Sequence, residues 1–154
     1  MFKKILVCLD GSDLAEQVLP YVTEQAKHFN SRVILFEAVT GEHNVVIPTT
    51  PTGDLMPQAS HVSAELVEKE VQKDEAYLER VARKLRKKHL NVEVVSVLDP
   101  FVGQAIVDYA HQNKIDLICI STHGRSGIRR SLFGSVADHV VRESRLPILI
   151  IRPS

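Results

Sequence analysis

Residues 115–140 read "IDLICISTHGRSGIRRSLFGSVADHV". A short apolar run is followed by a polar loop with three glycines and three arginines, and then by a segment with helical spacing. A strand, a loop and a helix in this order are the repeating unit of parallel α/β sheets. We therefore expect an α/β fold in which this loop connects a buried strand to a helix.

The composition is that of a single globular domain over residues 1–154. The 19 Lys and Arg residues equal the 19 Asp and Glu residues in number, so the formal net charge is zero. We expect no nucleic acid partner, because no cationic field would hold a phosphate backbone. No apolar run is long enough for a signal peptide or a membrane span. Cys8 and Cys119 lie inside apolar runs, as small buried side chains of a reducing compartment do, so a cytoplasmic protein is predicted.

Short runs rich in Val, Ile and Leu alternate with helical patterns along the chain. The predicted strands are residues 4–9, 32–39, 92–98, 115–120 and 146–151, and the predicted helices are residues 13–28, 62–88, 101–112 and 135–144. Nearly continuous apolar strands are typical of parallel sheets that are covered on both faces. This order predicts an open, doubly wound, five-stranded parallel sheet with helices on both faces.

Local features refine this prediction. Ser12 is placed to cap the first helix, and Pro20 is expected to kink that helix because proline lacks a backbone donor. Residues 92–98 alternate more than the other runs, which favours a position near the sheet edge. Residues 40–61 hold three prolines and no sustained periodicity, so we expect a long loop there, and such loops are usually functional or disordered.

The loops after the first and fourth strands carry the candidate site. Ligands of open α/β sheets bind beyond the carboxyl ends of the strands, where the strand order reverses. If the first and fourth strands are neighbours, Asp10 lies beside the loop of residues 121–135. The helix that starts at Gly134–Ser135 would offer N–H groups and its positive dipole end to an anion. Gly124 permits close approach of a phosphate, and Asp10 is placed to meet a ribose hydroxyl or a metal ion.

A simpler interpretation stays open for the same residues. The glycines would then only form turns and Ser135 would only cap a helix, since isolated glycine patterns are weak evidence. Neither a Walker A sequence nor the G-x-G-x-x-G fingerprint is present. Asp13 and Asp116 are expected to be structural carboxylates, and His123 a hydrogen-bonding residue of the loop. Arg129 and Arg130 are either phosphate ligands or surface charges.

Four segments stand out when they are taken together: "KKILVCLDGS" at the start, "DLICISTHGRSG" and "LFGSVADHVV" further on, and the closing "PILIIRP". In these segments the chain resembles the universal stress protein (UspA-like) family. The nucleotide-binding branch of that family carries G-x2-G-x9-G-[ST] in this loop. Here Gly124 and Gly134 are the second and third glycines, with nine residues between them, and Ser135 follows. Ser121 stands where the motif has its first glycine.

The resemblance implies a Rossmann-like protein that binds ATP, ADP or AMP together with Mg²⁺. Under it, Asp10 contacts ribose or Mg²⁺, the backbone of Ala38 reads the adenine edge, and the glycine-rich loop wraps the phosphates. Two outcomes stay open for the departure at Ser121: its side chain either crowds the backbone near the ribose and phosphates or is accommodated without cost. The nucleotide-binding residues in this view are Asp10, Ser12, Ala38, Gly124, Arg125, Gly127, Gly134, Ser135 and Val136.

Three functions remain open on these grounds. The first is a nucleotide-responsive regulatory protein of the stress response, which acts on a protein partner that the sequence does not identify. The second is a slow ATPase or phosphotransferase, although phosphoryl transfer needs an oriented nucleophile and no catalytic residue is assigned. The third is a dimeric scaffold that binds no nucleotide. The apolar strand at residues 147–152 has an uncovered edge in each case, which predicts a homodimer, as the resemblance also implies.

Overall fold

One parallel sheet organises the molecule. The computed structural model describes residues 1–40, 59–122 and 134–152, with the backbone alone at the start of the longest helix. Within these ranges the strands are β1 (Lys4–Cys8), β2 (Arg32–Val39), β3 (Asn91–Leu98), β4 (Leu117–Ser121) and β5 (Ile148–Ile151). The helices are α1 (Asp13–Glu16), α2 (Leu19–Phe29), α3 (Ala59–Arg86), α4 (Val102–Gln112) and α5 (Ser135–Glu143). This architecture confirms the predicted α/β sheet.

The strand order is β3-β2-β1-β4-β5, and each neighbouring pair is parallel. β1 pairs with β4 in a register that places Val7 opposite Cys119, so the adjacency on which the site prediction depended is confirmed. The chain runs outward from β1 to β3 and then crosses to β4 on the other side of β1. The carboxyl ends of β1 and β4 are therefore the point where the strand order reverses. β3 lies at an edge, as its alternating sequence predicted.

Apolar layers cover both faces of the sheet. Alternation along β1 places Ile5 and Val7 on the face covered by α2 and α3, which we call the α3 face. Leu6 and Cys8 lie on the opposite face, covered by α4 and α5, which we call the α5 face. Each fully buried Val, Leu or Ile side chain stabilises the fold by about 1.5–3 kcal/mol. The sheet is therefore held from both sides, and its carboxyl-end loops are presented on a rigid support.

The helix predicted over residues 13–28 is in fact two helices, so the expectation of one kinked helix was wrong. Ser12 caps α1 as predicted, because its Oγ accepts a hydrogen bond from the N–H of Ala15 at 3.1 Å. α1 ends at Glu16, and Pro20 lies in the first turn of α2. In a continuous helix Pro20 would have no N–H for the carbonyl of Glu16, and its ring would clash with that carbonyl. The first turn of a new helix needs no such donor.

The long helix α3 begins earlier than predicted. It starts at Ala59, so residues 59–61 belong to the helix and not to the loop predicted over residues 40–61. Residues 41–58 lie outside the described parts of the chain. α3 ends at Arg86, and a turn with His89 in the left-handed conformation (φ 63°) leads into β3. In the three described ranges, no helix is both long and apolar enough to cross a membrane.

Candidate functional site

Asp10 and Ser12 form a tight hydrogen-bonded turn directly after β1. The Oδ1 atom of Asp10 accepts from the backbone N–H of Ser12 at 3.0 Å and from its hydroxyl at 2.6 Å. Gly11 between them has φ 78°, a left-handed conformation that favours glycine. Because Ser12 also caps α1, this turn is fixed to the helix that follows. The Asp10 carboxylate is thereby held at the carboxyl end of β1, where the sequence predicted it.

The start of α5 provides the second part of the site. Gly134 is the N-cap residue, with φ −56° and ψ 160°, and no side chain in the described part of the chain caps this helix. Ser135 is the first helical residue and not the capping residue that the simpler interpretation made it. The first helical bond runs from the N–H of Asp138 to the carbonyl of Gly134 at 2.9 Å. The N–H groups of the first turn have no partner within the helix, and with the helix dipole they attract an anion.

Ser121 is directed away from the start of α5. Leu117 and Cys119 of β4 belong to the α3 face, and by alternation Ser121 lies on that face too. Its hydroxyl donates to the carbonyl of Leu14 in α1 at 3.0 Å, and the residue is only 8% exposed. The side chain of Ser121 therefore points to the face of the sheet opposite α5.

The backbone of Ala38 faces the space beyond β1. Leu9 donates its N–H to the carbonyl of Phe36 at 2.9 Å, and Asp99 donates to the carbonyl of Val39 at 2.9 Å. Backbone groups alternate in direction along a strand, so those of Ala38 point to the same side as those of Phe36, toward β1. β1 ends at Cys8. The N–H and carbonyl of Ala38 therefore face the volume above the end of β1, close to the turn that holds Asp10.

A cavity of about 460 Å³ opens between the first turns of α4 and α5. Residues 100–104 line one side of it, and Ser135, Val136 and His139 line the other. Pockets for small molecules commonly measure about 300–1,000 Å³. The cavity thus has the size of a ligand site and includes two of the residues that were predicted to bind phosphate.

Part of the predicted site lies outside the described residues. This holds for three of the predicted nucleotide-binding residues, Gly124, Arg125 and Gly127, and for the neighbouring His123, Arg129 and Arg130. In the described part, Asp10 and Ser12 follow β1, Ala38 lies near the carboxyl end of β2, and Gly134, Ser135 and Val136 begin the helix that follows β4.

Two residues near the site were not singled out from the sequence. Glu37 is a charged residue inside β2 and is only 2% exposed. Burial raises the pKa of Tyr77 well above its ordinary value, and the carboxylates of Glu16, Glu37 and Asp10 act in the same direction. Phe101, in contrast, is 73% exposed as a residue and lines the cavity. The available signals were a carboxylate within an apolar run and an aromatic residue directly before a predicted helix.

Asp116 is structural, as predicted, and lies at the opposite end of the sheet. Its Oδ2 atom accepts from the backbone N–H groups of Lys3 and Lys4, each at 2.8 Å. These bonds join the amino end of β4 to the amino end of β1. Asp116 therefore stabilises the sheet at a distance from the carboxyl-end loops.

Asp10 is the only residue that the sequence suggested as a metal ligand. Among the side chains that the structure describes, no three His, Cys, Asp or Glu residues converge on one point as a metal site. Mg²⁺ is usually bound by one or two carboxylates together with the phosphates of a nucleotide. A single carboxylate at Asp10 thus fits Mg²⁺ that arrives with a nucleotide, and it does not form a metal site by itself.

Comparison with known proteins extends over almost the whole chain. The model of the Universal stress protein family matches residues 1–152. Universal stress protein MJ0531 of Methanocaldococcus jannaschii is 28% identical over 152 residues, which cover 99% of this chain and 83% of that protein. Universal stress protein YxiE of Bacillus subtilis is 28% identical over 153 residues, which cover 99% of this chain and 100% of that protein.

Solved structures share the fold. Protein MJ0577 superposes with a TM-score of 0.83 at 24% identity, over 100% of this chain and 98% of that chain. A universal stress protein in complex with cAMP gives 0.66 at 23% identity, over 99% and 98% of the two chains. The universal stress protein of Archaeoglobus fulgidus in complex with dAMP gives 0.61 at 22% identity, over 97% and 98%. The sheet order, the turn after β1 and the match over residues 1–152 lead to one conclusion: the chain belongs to the universal stress protein family.

Proposed function

We propose that this protein binds an adenine nucleotide at the carboxyl ends of β1 and β4 and acts as a nucleotide-responsive regulator in the stress response. The observation that carries the proposal is the first turn of α5, which no side chain of the described residues caps and which borders the 460 Å³ cavity. Phosphate groups suit such a helix start, because N–H groups and the dipole both favour negative charge. Family members of the same fold were solved with cAMP and dAMP, which supports an adenine nucleotide as the ligand class.

Each residue of the site has a role in this proposal. Gly134, Ser135 and Val136 bind the phosphates, and Gly124, Arg125 and Gly127 complete the phosphate loop. The Asp10 carboxylate, held by Ser12, contacts the ribose or Mg²⁺, and the backbone of Ala38 reads the adenine edge. Mg²⁺ supplies charge neutralisation of the phosphates when it is bound. We favour ATP as the ligand, with ADP and AMP as the alternatives.

Regulation fits this arrangement better than catalysis. Phosphoryl transfer requires a nucleophile oriented against the terminal phosphate, and the proposal gives no residue that task. We therefore expect turnover below roughly one per second, the lower end of the range for dedicated enzymes. The binding of a nucleotide would instead change the surface that the protein offers to a partner.

A homodimer through β5 is part of the proposal. β5 lies at an edge of the sheet and pairs with β4. Ile118 donates to the carbonyl of Pro147 and Thr122 donates to that of Ile151, at 3.0 and 2.8 Å. By alternation, the backbone groups of Ile148 and Ile150 face the open edge. Pairing of two such edges across a two-fold axis closes at a dimer.

Calorimetry with ATP and Mg²⁺ tests nucleotide binding, with Gly134→Val as the paired variant. The backbone of Gly134 (φ −56°, ψ 160°) is one that valine adopts without strain, so the variant should fold. Its branched side chain would occupy the position of the phosphates, and binding should be lost at an unchanged Tm of the free protein. Absence of both heat and thermal shift for the parent at millimolar ATP would refute the proposal.

A further inference from the structure

We propose that Phe101 is the platform on which the base of the nucleotide stacks. This inference rests on the proposed function and names the residue that recognises the aromatic part of the ligand. It is carried by an exposed aromatic ring at the wall of a cavity whose other wall is the first turn of α5.

The ring of Phe101 is exposed although its backbone is fixed. The N–H of Phe101 donates to Oδ1 of Asp99 at 2.7 Å, and its carbonyl accepts from the N–H of Ala105 at 2.9 Å. The residue is nevertheless 73% exposed. An aromatic side chain has few torsions to lose on binding, and a fixed backbone lowers the entropic cost further. Phe101 is thus a pre-organised apolar surface directed at solvent.

The cavity connects this ring to the proposed phosphate site. Phe101 and Val102 line one side, and Ser135 and Val136 line the other. Ala38, Val102 and Val136 all pack against the apolar layer of the α5 face. A ligand that places its anionic part at Ser135 in this cavity therefore has Phe101 on the opposite side. A molecule with a phosphate and a flat aromatic ring, such as a nucleotide, matches this arrangement.

The far wall of the cavity is already formed. Gln104 and His139 join α4 to α5 through a contact of 3.1 Å between Oε1 and Nε2. Gly103 makes this approach possible, because a Cβ atom at that position would lie 2.9 Å from Cδ2 of His139. Pre-formed pockets of this kind bind rigid ligands without rearrangement. We therefore expect the base to stack on Phe101 without movement of α4 against α5.

Two variants of Phe101 test the assignment. The chain contains no tryptophan, so Phe101→Trp introduces a single indole, whose fluorescence ADP should quench on stacking. Phe101→Ala should lower the affinity for ADP at least about fivefold, since the stacking of one base on an aromatic side chain contributes that much or more.

Inorganic tripolyphosphate, which has no base, should bind the parent and Phe101→Ala equally well. Tyr21→Ala removes another exposed ring, on α2, and should leave both affinities unchanged.

The outcomes separate this inference from the proposed function. Equal ADP affinity of the parent and Phe101→Ala, with an unquenched indole in Phe101→Trp, would overturn the role of Phe101 and leave nucleotide binding intact. Failure of the parent to bind ADP would overturn both. A loss of tripolyphosphate affinity in Phe101→Ala would assign the ring to the phosphate turn and not to the base. A change of oligomeric mass in Phe101→Ala would assign it to an interface between copies.

Discussion

Ser121 donates its hydroxyl to the backbone carbonyl of Leu14 at 3.0 Å, and this bond joins the end of β4 to α1. Thr122, the next residue, donates its N–H to the carbonyl of Ile151 in β5 at 2.8 Å. The residue that replaces the first glycine of the family motif thus links a central strand to the helix packed beside it. Its side chain has a structural partner on the face opposite α5.

We predict that Ser121→Gly destabilises the protein and does not tighten nucleotide binding. The variant loses a hydrogen bond with a net contribution of about 0.5–1.5 kcal/mol and adds a strand glycine at a cost of about 0.5–1 kcal/mol. Chemical denaturation should therefore show a free energy of unfolding that is about 1–2.5 kcal/mol lower. Ser121→Ala is the matched control and should show only the hydrogen-bond contribution. Tighter ATP binding by the glycine variant would mean that the serine does crowd the site.

Asp10 and Asp116 lie at opposite ends of the sheet, and their variants should separate binding from stability. Asp10→Asn keeps an oxygen for Ser12 but removes the charge, so we expect weaker binding of Mg²⁺ and ATP at nearly unchanged stability. Asp116→Ala removes the acceptor for Lys3 and Lys4 and should lower the free energy of unfolding by about 1–3 kcal/mol. Calorimetry and denaturation of both variants provide the comparison. A loss of ATP affinity in Asp116→Ala that exceeds its loss in Asp10→Asn would contradict the placement of the site.

Most of the fold was predictable because apolar runs identify buried parallel strands directly. The strand at residues 32–39 coincides with β2, and the others differ from their predicted bounds by one or two residues. The break before Pro20 was missed, because the apolar spacing of residues 13–28 continues through it in sequence. The first turn of α3 was missed because residues 59–61, "ASH", carry no apolar spacing.

The site was predictable only where strand topology places it. Asp10 follows β1 and Ser135 starts α5, and parallel strands bring such positions to one edge. The direction of Ser121 depends on which face of the sheet carries α1, and a single sequence does not contain that information. The close approach of α4 to α5, which Gly103 permits at His139, likewise depends on residues far apart in the sequence. Packing between segments that are distant in the sequence determines both the direction of Ser121 and the approach of α4 to α5.

Both thiols should be unreactive in the native protein. Burial raises the pKa of Cys119 to about 12, and burial together with the nearby Cys119 raises the pKa of Cys8 further still. We expect Ellman's reagent at pH 8 to label neither thiol until the chain is unfolded. Rapid labelling of the folded protein would contradict the burial of these side chains.

The same shifts predict a loss of stability at alkaline pH. Thiols in the unfolded chain lose their protons near pH 8.5, whereas the native thiols keep theirs up to about pH 12 for Cys119. The folded state then binds more protons than the unfolded state, so the free energy of unfolding falls as pH rises above about 8.5. Thermal denaturation between pH 8 and 10 measures this decline. Replacement of both cysteines by alanine is the control and should make the decline shallower; an identical slope would assign it to other groups.

Light scattering at micromolar concentration should report a dimer mass for the intact chain. Truncation after Pro147 would be a poor test, because the side chains of β5 pack against the apolar layers of both faces. Ile150→Pro removes a backbone donor from the open edge and not from the ladder with β4, so we expect a folded monomer. Ile150→Ala loses a comparable apolar contact but keeps the N–H, and should remain a dimer. A monomeric parent, or a dimeric Ile150→Pro variant, would exclude pairing through β5.

Cys8 and Cys119 lie on neighbouring strands but on opposite faces of the sheet, one in each apolar layer. Each face of the sheet therefore contains one thiol, which reacts with a labelling reagent only when the helices on that face open transiently. Single-cysteine variants, labelled slowly under native conditions, would measure separately how often each layer exposes its interior. Equal rates would mean that the sheet and its helices open as one cooperative unit. Faster labelling at Cys8 would mean that the helices of the α5 face open locally, without opening of the α3 face. On the proposed function, a bound nucleotide should then lower the labelling rate of Cys8 more than that of Cys119.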